Sequence, residues 1–155
     1  MTGTPEHSAA AGALQSALAA ENAAIFGYGV AGAYLSGAQR AAATAFWNDH
    51  RSAGDTLAAM LRARGAQPAA AGDAYKLPFP VHTAHDAVSL AIFLEDGVTA
   101  AYLGLVAGGG TGLRGFAARA MQDSAVRSSY WRGSCQAFPG FPASPPGTTH
   151  VQLVQ

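Results

Sequence analysis

Two glutamates stand where a helix keeps its apolar side chains. Leu14, Leu18, Glu21, Ile25, Tyr28 and Leu35 fall three, four or seven residues apart, so they share one face of a helix. Val88, Ile92, Glu95, Thr99, Tyr102 and Val106 repeat the pattern, with a Glu at the same place and a Tyr seven residues on. An unpaired ionised carboxylate in an apolar interior costs several kcal/mol. Each Glu must therefore face a cation, pair with an Arg or share a proton with neighbouring donors.

The repeat has a register. An offset of 74 residues carries Glu21 to Glu95, Tyr28 to Tyr102, Arg40 to Arg114 and Asp49 to Asp123. Alanine matches carry no weight in so Ala-rich a chain, but four polar matches in one register imply two copies of a helical hairpin. Each copy has Glu then Tyr on its first helix and an Asp on its second.

Composition narrows the function classes. At 155 residues the chain is one domain, half of its residues are apolar, and only 12% are charged. Net charge is zero and Lys76 is the single lysine, which argues against a nucleic-acid binder and gives no polybasic membrane anchor. One cysteine, Cys135, excludes an intrachain disulfide and suits a reducing cytoplasm. No signal-peptide pattern opens the chain. Residues 87–107 are apolar enough for a membrane span, and Glu95 and Asp96 at their centre argue against one.

The elements that must position the glutamates follow from breakers and caps. Helices are expected at about 8–35, 38–64, 84–107 and 112–137, making one bundle domain over residues 8–138. Gly37 and Gly65 stand where C-terminal glycines belong, and Thr83 with Asp86 has capping-box spacing. Residues 66–82 hold Gly72, Pro78 and Pro80 yet alternate Tyr75, Leu77, Phe79 and Val81, so they read as an extended crossover lying on the bundle. Residues 1–7 and the Pro-rich 139–155 read as loose ends. Gly27, Gly29 and Gly32 match a dinucleotide fingerprint, but no strand precedes them, and the spacing reads as close helix contact.

Two helical hairpins with a long crossover give an all-α fold, a four-helix bundle of ferritin-like connectivity. The chain resembles the ferritin-like superfamily, and within it an Ala-rich bacterial branch of unknown function. The resemblance rests on Ala20-Glu21-x-Ala23-Ala24-Ile25-x-Gly27-Tyr28-Gly29, Tyr75-x-Leu77-Pro78-Phe79-Pro80-Val81, Leu94-Glu95-Asp96, Ala101-Tyr102-Leu103 and Ala137-Phe138-Pro139-Gly140. It implies a place for two iron or manganese ions, held by one Glu from each of two helices and a Glu-x-x-His from each of the others. Glu21 and Glu95 match the single glutamates. The Glu-x-x-His motifs are broken: His50 has Trp47 three residues before it, Asp49 has Ser52 three after, and Asp123 has Val126. The set left is Glu21, Asp49, His50, Glu95 and Asp123, with Tyr28 and Tyr102 around it.

Two readings follow. In the first, no intact di-iron site exists, Glu21 and Glu95 meet at the bundle centre in a polar network, and the protein works through assembly as a homodimer or through partner binding. On that reading glutamine is tolerated at either position near neutral pH. In the second, the reduced carboxylate/His set serves a metal-dependent oxidase or ferroxidase-like protein. His82-x-x-His85 flanks a helix start without a third ligand, and Cys135, Trp47 and Trp131 read as packing residues.

Overall fold

The computed structural model describes residues 5–136 and 139. Four helices account for most of them: α1 (Pro5–Tyr34), α2 (Gly37–Arg62), α3 (Ala84–Gly108) and α4 (Thr111–Arg132). No strand occurs among the described residues. The ends have local causes. α1 begins at Pro5 rather than Ser8, because proline suits the first helical turn, where its missing N–H is not needed. α3 follows a complete capping box: Thr83 Oγ1 accepts from the Asp86 N–H at 3.1 Å, and Asp86 Oδ2 accepts from the Thr83 N–H at 3.0 Å. α4 stops at Arg132 rather than near 137, since Gly133 takes a left-handed φ of 71° and closes the helix. The expected end segments lie outside the described residues at 1–4 and, apart from Pro139, from 137 onward.

The helices form a bundle in which α1 packs on α2 and α3, and α3 packs on α4. α1 and α3 run antiparallel, because Tyr28 reaches Glu95 while Tyr102 reaches Glu21. α2 and α4 meet through Phe46, whose ring packs edge-on against Tyr130 and Trp131, and a cleft opens between them beside that contact. Leu14, Leu57, Leu61, Leu90 and Leu105 are fully buried around the α1–α3 pair. α3 is by length and composition apolar enough to cross a membrane; in the bundle it is central and buries Glu95.

Residues 63–83 lie along α1. The Gln15 side chain donates to the Gln67 carbonyl at 2.6 Å and accepts from the Ala69 N–H at 3.0 Å. The Tyr75 ring then sits 5.4 Å from Phe26, and Leu77, Phe79 and the buried Val81 pack on the core. The alternation at Tyr75, Leu77, Phe79 and Val81 thus corresponds to a docked segment. Of the three clustered glycines only Gly27 serves close contact. A Cβ there would collide with the Leu94 side chain, whereas Gly29 and Gly32 face open space.

Candidate functional site

All four helices contribute to one buried polar cluster. α1 brings Glu21 and Tyr28, α2 brings His50, α3 brings Glu95 and Tyr102, and α4 brings Ser124, Arg127 and Trp131. Glu21, His50 and Glu95 are each no more than 1% exposed. His50 lies between the two carboxylates. Its Nδ1 is 2.6 Å from Glu21 Oε2 and its Nε2 is 3.0 Å from Glu95 Oε1. A neutral imidazole carries one N–H, and an ionised carboxylate only accepts. Both contacts are therefore satisfied when His50 is an imidazolium donating from both nitrogens.

The tyrosines cross the bundle. Tyr28 on α1 donates to Glu95 Oε1 at 2.7 Å, and Tyr102 on α3 donates to Glu21 Oε1 at 2.7 Å. Ser124 Oγ lies 2.6 Å from Glu95 Oε2 and 3.0 Å from the Glu95 carbonyl. Arg127 Nε donates to Glu95 Oε1 at 3.0 Å, and Trp131 Nε1 donates to the Tyr28 hydroxyl at 2.8 Å. Among the described residues no buried side-chain polar atom lacks a partner. Two carboxylates face one imidazolium and one guanidinium, so the cluster is neutral as a whole.

The titration behaviour follows from this geometry. Burial alone would push His50 down, but its hydrogen bonds to Glu21 and Glu95 and their charges prevail and hold it up at about 9. Burial would raise Glu95, but the His50 hydrogen bond, the charges of His50 and Arg127 and the Ser124 contact hold it below the usual carboxylate range. Burial, then the adjacent carboxylate, drives Tyr28 and Tyr102 far above their ordinary value, so both remain protonated donors.

A cleft reaches the cluster from outside. The cleft between α2 and α4, of about 460 Å³, has Glu21 and Tyr102 at its floor and Asp49, Ser52, Asp123 and Arg127 on its walls. Arg127 is 13% exposed and spans the wall, with Nη1 3.9 Å from Asp49 Oδ2. Asp49 and Asp123, expected in the core with the other three, are instead exposed at this cleft. Neighbouring helical residues diverge by about 100°. His50 and Ser124 point inward, which turns Asp49 and Asp123 outward.

Ser124 escaped the sequence reading although the 74-residue register places it opposite His50. The Trp131 contact with Tyr28 has no equivalent signal, since the register pairs Trp131 with Leu57. His82 and His85 are both exposed, and Cys135 is exposed. Trp47 donates to the Ile25 carbonyl at 3.0 Å, a packing role.

As folded, the donors are paired with one another. A ligating imidazole must aim a lone pair at the ion, but each His50 nitrogen is aimed at a carboxylate oxygen. Arg127 occupies the Glu95 oxygen that a bridging carboxylate would offer. Glu21, His50 and Glu95 converge on one another, and among the described residues no group of three His, Cys, Asp or Glu side chains is disposed around a position for an ion.

Comparison with curated proteins finds no match. Among solved structures the chain is similar to a conserved hypothetical protein, rv2844, from Mycobacterium tuberculosis. The two share 35% identity over 81% of this chain and 96% of that one, with a TM-score of 0.79. A family model described as "Domain of unknown function (DUF4439)" matches residues 13–143. A match across most of the chain, joined to that structural likeness, means that the protein belongs to the DUF4439 family.

Proposed function

We propose that this chain is a ferritin-like bundle whose cation positions are filled by its own His50 and Arg127. It acts through assembly or partner binding rather than by metal-dependent oxidation. The ferritin-like reading is supported by the antiparallel α1–α3 pair and by the long connection along α1. The observation that carries the functional reading is the His50 bridge between Glu21 and Glu95. Two buried carboxylates that close need positive charge, and here the chain supplies it.

The test is thermal unfolding of tag-free wild-type protein, Glu21→Gln and Glu95→Gln, each with and without Fe²⁺, Mn²⁺ or Zn²⁺. Wild-type protein should shift by less than about 1 °C, because a ligand that does not bind the folded state cannot stabilise it. Purified protein should carry well under one equivalent of metal.

A metal-dependent oxidase is the second reading, and one observation favours it: the cleft that reaches Glu21 also carries Asp49 and Asp123. That reading requires Arg127 to leave Glu95 and His50 to release one carboxylate. Content of about two ions per chain, or a metal-induced gain of several degrees that both glutamine variants lose, would establish it and remove the first.

A further inference from the structure

The two hairpins fill equivalent places differently. On the α3–α4 side, Asp96 Oδ1 accepts from Ser128 Oγ at 2.7 Å and Asp96 Oδ2 from Arg132 Nη2 at 2.7 Å, while Arg132 Nη1 donates to Ser128 Oγ at 2.9 Å. The 74-residue register puts Asn22 at the place of Asp96, Gly54 at that of Ser128 and Ala58 at that of Arg132. The first hairpin thus lacks the carboxylate, the hydroxyl and the guanidinium that fill the second. A cavity of about 330 Å³ stands there instead, lined by Asn22, Gly54 and Ala58 and walled by residues 68–71 of the connection. Gln15 holds that wall through Gln67 and Ala69. The cavity shares no lining residue with the α2–α4 cleft.

Arg51, Asp55 and Arg62 also line the cavity, and two arginines against one carboxylate leave it net positive. Arg51 and Asp55 are one helical turn apart, where opposite charges commonly pair. Arg51 lies over the Trp47 ring instead, 4.7 Å from its centroid. The side-chain hydrogen bonds of this region run from Trp47 to the Ile25 carbonyl and from Thr56 to the Ser52 carbonyl; among the described residues Asn22, Arg51, Asp55 and Arg62 make none. Along α2 the cavity therefore offers a guanidinium, a carboxylate, an apolar step at Ala58 and a second guanidinium, with Asn22 and Leu18 facing them from α1. We propose that it binds an acidic α-amino acid of the glutamate type. The α-carboxylate lies on Arg51 and Asn22, the ammonium on Asp55, the methylenes on Leu18 and Ala58, and the side-chain carboxylate on Arg62. A net negative zwitterion matches a net positive site, and guanidinium–carboxylate pairing is both strong and geometrically specific. The amide of Asn22 is part of the match, because an aspartate there, as in the second hairpin, repels a carboxylate.

The charged groups stand at an exposed rim, so binding belongs in the range of about 0.1 to 5 mM at roughly 0.15 M salt. The test is an amide NMR titration of the full chain with L-glutamate. Shifts at Asn22, Gly54, Asp55 and residues 69–71 should saturate together with one dissociation constant. Glutarate, which lacks the ammonium, and γ-aminobutyrate, which lacks the α-carboxylate, should each bind at least about tenfold more weakly. Arg51→Gln should weaken L-glutamate to the same extent, and Arg62→Gln should erase the preference for L-glutamate over L-glutamine. Both arginines are exposed, so both variants should keep the thermal unfolding curve. A triple variant, Asn22→Asp with Gly54→Ser and Ala58→Arg, should rebuild in the first hairpin the pair that fills the second. A Cβ at Gly54 meets only ordinary contacts, at 3.9 Å, so this chain should fold and no longer bind. Shifts that stay linear to the highest concentration, or that persist in Arg51→Gln and in the folded triple variant, overturn the proposal. Glutarate binding as tightly as L-glutamate also overturns it. The assembly reading is independent of either result, because it rests on the His50 bridge.

Discussion

Ser124 holds on α4 the place that His50 holds on α2. The two are 74 residues apart, Ser124 Oγ lies 2.6 Å from Glu95 Oε2, and His50 Nδ1 lies 2.6 Å from Glu21 Oε2. A hydroxyl cannot carry a charge, so the second half of the repeat brings Arg127 to Glu95 instead, where the register gives Ala53 in the first half. The repeat is thus polar in both halves and cationic by different means.

Ser124→Ala removes a donor to an ionised, buried carboxylate. It should destabilise the fold by roughly 1–3 kcal/mol, the range for hydrogen bonds to charged groups. Chemical denaturation with an unchanged slope would place the loss in the native state.

Glutamine at the two glutamate positions should not be equivalent. The sequence alone led to tolerance at both. Around Glu95, however, stand Arg127, His50, Tyr28 and Ser124, whereas Glu21 has His50 and Tyr102. Glu95→Gln removes the charge that faces both His50 and Arg127 and leaves Arg127 only the 3.9 Å contact to exposed Asp49, so it should cost roughly 3–5 kcal/mol. Glu21→Gln lets His50 become neutral and should cost about 1 kcal/mol. Equal losses in urea titrations of the two variants would contradict the assignment of Arg127 to Glu95.

Stability should fall on both sides of a mildly acidic optimum. His50 is raised from 6.5 to about 9, so its contribution is complete below pH 6.5 and disappears as pH rises through 9. Glu95 is lowered from 4.5, so its contribution is complete above that value and is lost as pH falls through its depressed value. Melting temperature should therefore peak between about pH 4.5 and 6.5. The alkaline limb faces Glu21, Glu95, Arg127, Tyr28 and Tyr102, and His50→Gln should flatten it. A limb of the same steepness in that variant would assign the transition to another group.

Gly27→Ala and Gly29→Ala should move stability in opposite directions. Both sit inside α1, where alanine is favoured by about 1 kcal/mol. At Gly29 the new methyl meets nothing, and the gain should appear in full. At Gly27 it collides with the Leu94 side chain across the α1–α3 contact, and overpacking of roughly 1–3 kcal/mol should outweigh the gain. Thermal melts of the two variants side by side decide the matter.

The spacing of Leu14, Leu18, Glu21, Ile25 and Tyr28, and its echo 74 residues later, was enough to set four helices, bury Glu21 and Glu95 and bring the two hairpins together. Those are consequences of helical period and of breakers such as Gly37, Gly65 and Pro78, which act locally. The stripe Phe46, His50, Ala53, Leu57 and Leu61 already put His50 on the inner face of α2, and the structure buries it. The sequence could not say that His50 would bridge both glutamates, which the packing of α2 against α1 and α3 decides. Nor could it say which of several arginines neutralises Glu95, since that depends on the azimuth of α4 about its axis and on the gap between α2 and α4. Only the tertiary structure sets those rotations, and with them it decides that the positive charge at the bundle centre comes from His50 and Arg127.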